Sequence, residues 1–130
     1  ADTGMDRETA LKISSGFGGG MRCGEVCGAV TGGLMTLGMH SGHWVPGDQA
    51  AKNYSNTQAN EFIQRFTRMH STIICRQLLG YDISIESEYR HLRETGAFQK
   101  LCPGFIKDAV AILEEMLNLK PASQGQSPSE

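Results

Sequence analysis

The chain has 130 residues, a net charge of −2, 39% hydrophobic and 20% charged residues, proportions of one ordinary globular domain that buries a core without disulfide staples. No basic stripe offers nucleic acid a footprint, and no apolar run reaches the ~18 residues of a membrane span, so neither partner is expected. The N-terminus lacks the basic, apolar and small-residue order of a signal peptide and has no initiator Met, which points to a trimmed or processed chain in a reducing cytoplasm.

Asp6 is placed to cap a short helix from Arg7 to about Ser15, with Ala10, Ile13 and Phe17 along one side. Gly16 and Gly18 to Gly20 then break regular structure and deliver the chain to a second helix, expected from about Gly24 to Met39 with Cys23 and Cys27 at its head. Val26, Val30, Leu34 and Leu37 form its apolar stripe, and Gly24, Gly28 and Gly32 recur one turn apart on a single face. Each interior glycine costs ~1 kcal/mol relative to alanine, so that face predicts a close approach by another helix or by a cofactor. His40 to Gly47 reads as a loop whose two histidines, His40 and His43, are exposed.

A third helix is expected from Lys52 or Asn53, with Phe62, Phe66, Met69 and Ile73 on its buried side. It breaks near His70 and restarts over Thr72 to Leu79, placing Cys75 in the first or second turn of the restart. Ser84 is the expected cap of a helix ending at Thr95, and Cys102-Pro103 marks the start of the last helix, which buries Ile106, Ala109, Val110, Leu113 and Leu117. His70 and His91 read as helix-surface residues, Met35 and Met39 as core filler. The class is all-α: five or six helices in a bundle over residues 1–120, with a Ser/Gln/Gly/Pro-rich disordered tail over 121–130.

The chemistry rests on the thiols. Cys27, Cys75 and Cys102 all fall near predicted helix starts, where unpaired amides and the helix dipole favour an anion and lower a thiol's pKa. Cys23 and Cys27 are spaced C-x3-C, neither a zinc-ribbon nor a thioredoxin-like spacing. Four cysteines are compatible with a metal ion, an iron–sulfur cluster or a dithiol relay, and spacing ranks none of these. Covalent c-type haem is not expected without C-x-x-C-H, nor nucleotide binding without a strand before the glycine run.

The block SGFGGG…GEVCGAVTGGLMTLGM resembles the C-GCAxxG-C-C family of redox-active proteins. Its CGAxxG motif is Cys27-Gly28-Ala29-Val30-Thr31-Gly32, and two later family cysteines match Cys75 in STIICRQLLG and Cys102 in CPGFIKDAVAILEEM. The likeness covers most of residues 6–118. It departs in lacking the extra cysteine-bearing helix with which the family usually begins, so the expectation is either that Cys23 partly substitutes or that the chain is a truncated member. A related domain in the dimeric split-Soret cytochromes implies a homodimer with an interface cofactor.

The expected function is therefore redox. Cys27, Cys75 and Cys102 are the catalytic residues of a thiol/disulfide cycle, or, with Cys23, the ligands of a metal or iron–sulfur centre; Gly28 and Gly32 let a cofactor approach; an electron-transfer partner follows. The rival is a non-catalytic helical dimerisation module with structural cysteines. A thiol enzyme acting on a small substrate ranks last, because no general base is evident near Cys27.

Overall fold

The computed structural model describes residues 4–118. They form seven helical segments: α1 (Arg7–Ser14), a short irregular turn (Gly20–Gly24), α2 (Gly28–Ser41), α3 (Gln49–His70), α4 (Cys75–Leu79), α5 (Glu86–Thr95) and α6 (Ala97–Met116). The all-α bundle is as expected; the count exceeds the expected five or six. The expected tail over 121–130 lies outside the described residues.

The core is built where α2, α3 and α6 pack on one another. Val30 and Leu37 of α2, Phe62 and Phe66 of α3, and Ala109, Ile112 and Leu113 of α6 form one cluster. Phe62 and Phe66 are fully buried, and each contributes about 1.5–3 kcal/mol by leaving water. Gly33 permits that packing: a Cβ there would stand 2.8 Å from two atoms of the Phe62 ring. A second cluster gathers Cys75, Leu79, Ile83 and Leu92, and Phe105 of α6 packs against both clusters.

Several helix boundaries differ from those expected. Asp6 caps α1 as expected, accepting from the Thr9 amide at 3.2 Å. Asp48 does the same for the Ala51 amide at 3.0 Å, so α3 starts at Gln49 rather than near Lys52. Ser71, in the left-handed region at φ 70, ends α3. Ser84 does not cap α5; its amide and hydroxyl both donate to Asp82 Oδ1, and α5 begins at Glu86. The last helix starts at Ala97, so Cys102 and Pro103 lie inside α6 rather than at its head. Pro103 cannot donate to the Gln99 carbonyl one turn back.

The largest correction falls between Gly19 and Gly24. Instead of opening the cysteine helix, this stretch winds left-handed, with positive φ at Gly19, Gly20, Met21, Arg22 and Gly24. Cys23 therefore sits in an exposed turn, and Gly24 does not share a helix face with Gly28 and Gly32. Met39, expected as core filler, and Met69, expected on the buried side of α3, are about half exposed (46% and 52%). Ile106 is exposed as well, and Ile112 takes the buried place expected of it. His40 belongs to the last turn of α2, and His70 is half-buried, its Nε2 2.9 Å from Asp108 Oδ2.

Candidate functional site

The thiols are assembled by a short antiparallel bridge between Val26 and Ile74. The Cys27 amide donates to the Ile73 carbonyl at 2.8 Å, and the Cys75 amide donates to the Glu25 carbonyl. Cys27 and Cys75 each follow a bridged residue, so they are diagonal neighbours on the same side of the ribbon. From there each chain turns into a helix: Cys27 is the residue before α2, and Cys75 is the first residue of α4. Arg76 fastens the two segments by donating to the Gly24 carbonyl (3.1 Å) and to the Glu25 carboxylate. Gly20 lets the left-handed turn close over this point, since a Cβ at its φ of +62 would lie 2.8 Å from Cys75 Cβ.

Cys102 reaches the same place from α6. With Cys27 and Cys75 it lines a cavity of about 640 Å³ between the two hydrophobic clusters, inside the usual range of small-molecule sites. The walls are mainly apolar and aromatic, with Phe17, Phe98 and Phe105 prominent. Gly28 and Gly32 belong to the lining but differ. A Cβ on Gly28 would meet the Phe17 carbonyl oxygen at 3.2 Å, so the loop already occupies that approach, whereas a Cβ on Gly32 would meet nothing within 4 Å. Cys23 is exposed and is not part of the lining.

The site's electrostatics run against the expectation of helix-start thiolates. Burial pushes all three thiols up. Cys75, only 5% exposed, rises from 9.0 to about 11, first through burial, then through the charges that Cys27, Cys102 and Asp82 would place beside it. Cys102 is raised by burial and then by Cys27. Cys27 is raised by burial too, but the Ala29 and Val30 amides at the start of α2 pull the other way. These are three protonated thiols at neutral pH, close enough that ionising one disfavours ionising the next. All four cysteines are free. Among the described residues no group of three or more His, Cys, Asp or Glu is disposed to hold a metal ion.

Sequence reasoning passed over the cavity's other polar residues. Arg22 lies at its rim, with its guanidinium 5.9 Å from the Tyr89 ring centre, and both residues line it. The only local signal for Arg22 was a cation next to Cys23. Nothing local links position 22 to position 89.

Three convergent thiols on an apolar cavity in a helical bundle define a cysteine-centred helical protein. The family model described as "Putative redox-active protein (C_GCAxxG_C_C)" matches residues 1–116, and the chain belongs to that family. No curated protein and no solved structure matches it significantly. No helix among the described residues is long and apolar enough to cross a membrane.

Proposed function

We propose that the protein is a thiol/disulfide redox protein in which Cys27 attacks and Cys75 or Cys102 resolves. The observation that carries this reading is the convergence of three free thiols, from three distant parts of the chain, on one cavity. Cys27 is the attacking thiol because it alone has amides lowering its pKa against burial, and the thiolate is the nucleophile. Its sulfur displaces one thiolate from an external disulfide and forms a mixed disulfide. A second thiolate, from Cys75 or Cys102, then displaces the other half and closes an internal disulfide. Two protein thiols and one disulfide become one protein disulfide and two free thiols, with two electrons passed to the partner and both thiol protons ending on its sulfurs.

The test is equilibration in glutathione buffers of graded potential, followed by alkylation and peptide mapping. One two-electron transition involving Cys27 supports the cycle; all three thiols remaining reduced, even in the most oxidising buffer, removes it. Metal and acid-labile sulfide analysis of anaerobically purified protein runs alongside. Stoichiometric metal on these cysteines replaces the dithiol cycle with a metal-centred one.

The association module keeps one supporting observation. Helix α1 buries no residue, and its Ile13 is 56% exposed. A homodimer formed through the side of α1 that carries Ile13 shows as a concentration-dependent sedimentation coefficient that Ile13→Glu abolishes. A monomer at all concentrations removes it.

A further inference from the structure

We infer that the cavity is a binding site for a small organic anion with a flat apolar body, its charged group at Arg22 and its body laid against Gly32 between the aromatic walls. The site goes beyond the thiol cycle and does not require it.

Charge is the first argument. Among the described residues that line the cavity, Arg22 is the sole charged one. No carboxylate among the described residues pairs with it; its partner is the face of Tyr89. Arg22 holds its position at a backbone cost, because φ is +61, where a side chain with a Cβ is disfavoured by about 1–2 kcal/mol. A guanidinium in the lining of an otherwise uncharged cavity is a strong receptor for a carboxylate or sulfonate. The three thiols hold their protons at neutral pH, so no negative wall opposes the anion.

Shape is the second argument. On α2, Gly32 opens a flat strip where a Cβ would touch nothing, one turn beyond the Gly28 contact with the Phe17–Gly18 backbone. Phe98 and Phe105 line the cavity too, as does Phe17. A helix strip without side chains, together with aromatic rings, favours a planar apolar body over a branched or highly polar one. The hydroxyl of Thr36, also in the lining, is committed to the Gly32 carbonyl at 3.0 Å and that of Ser14 to the Ala10 carbonyl at 2.7 Å. Few free polar groups are left to recognise a sugar or a peptide.

The test uses 1-naphthoate and its neutral counterpart 1-naphthalenemethanol, titrated into the reduced 15N-labelled protein and followed by amide shifts. Naphthoate should bind one-to-one with a Kd of about 1 mM or tighter, shifting the amides of Gly28, Gly32 and Phe105. It should bind about fivefold tighter than the alcohol, the modest gain expected of a charged contact at an exposed rim. Arg22→Asn tolerates the left-handed backbone and should erase the preference for the anion. Gly32→Leu fills the cavity from a helical position and should weaken both ligands at least about tenfold with the fold retained, since leucine is the better helix former. Equal affinity for acid and alcohol, undiminished binding in Gly32→Leu, or no saturable binding would each overturn the site, as would dimerisation that hides the rim and excludes the ligand. Naphthoate uptake with redox-inert thiols keeps this site and removes the dithiol cycle. A dithiol cycle without uptake does the reverse.

Discussion

The reactivity order of the four cysteines follows from burial and charge, and a pH-controlled alkylation series reads it directly. Cys75 ionises at about 11 rather than 9.0, so at pH 8 it carries about a hundredfold less thiolate than a thiol at the ordinary value. At 5% exposure it is also screened from the reagent, which works against the greater nucleophilicity of a high-pKa thiolate, so a rate difference on the order of a hundredfold is expected. Cys23 is exposed in the left-handed turn and should be the one most open to the reagent. Cys27 and Cys102 are half-buried and less strongly raised, and should fall between. The assay is a timed iodoacetamide pulse under native conditions at pH 7, 8 and 9, quenched and read by peptide mass spectrometry, with a urea-unfolded control in which the four rates converge. The rates at Cys75 should still climb close to tenfold per pH unit at pH 9. Native labelling of Cys75 at the rate of Cys23, or a plateau below pH 9, would refute the electrostatic picture of the site.

Three further outcomes follow. Gly32→Ala should stabilise the protein by about 1 kcal/mol, because a Cβ there meets nothing. Gly33→Ala should lose about 1–2 kcal/mol net, because its Cβ enters the Phe62 ring and overpacking exceeds the helix gain; urea midpoints of the two variants should move in opposite directions. Stability should decline in alkali: between 9.0 and about 11 the unfolded chain has released the Cys75 proton and the folded one has not, so this contribution is complete below that window and is lost as pH rises through it, a decline that Cys75→Ala flattens in denaturation curves. Asp48→Ala should cost about 1 kcal/mol by freeing the Ala51 amide at the head of α3, whereas Asp6→Ala should leave the global transition nearly unchanged and fray only α1, which buries nothing; amide exchange separates the two.

What the sequence shows clearly is whatever a single helix settles by itself. The Asp6 cap, the pairing of Phe62 with Phe66, and Ala109 with Leu113 are written in spacings of three and four residues. Errors arise where the deciding partner is distant. A glycine-rich run with two cysteines reads as a helix head, but Glu25 to Cys27 instead pair with Ile73 to Cys75, nearly fifty residues away. Cys102-Pro103 reads as a helix start because proline suits a first turn; packing of Ala97 and Phe98 on the second cluster carries the helix further back. Gly33, the glycine that α3 needs, was hidden beside Gly32 in a doublet whose members differ only in what lies opposite. The gathering of Cys27, Cys75 and Cys102 was an expectation from the family likeness and from inferred helix starts, and the cavity reunites them by a different route, through one bridge and the second turn of α6.

That route ties the strain in the turn to the site. Met21 and Arg22 in left-handed conformation cost about 1–2 kcal/mol each, an amount that an unconstrained loop would shed by rearranging. They keep it because both ends of the turn are pinned: Gly20 against Cys75, and Gly24 and Glu25 by Arg76. Relaxing the turn would break the hydrogen bonds that set Cys27 beside Cys75, and would carry Arg22 away from Tyr89. Backbone strain, thiol placement and the position of Arg22 beside Tyr89 are thus one mechanical unit.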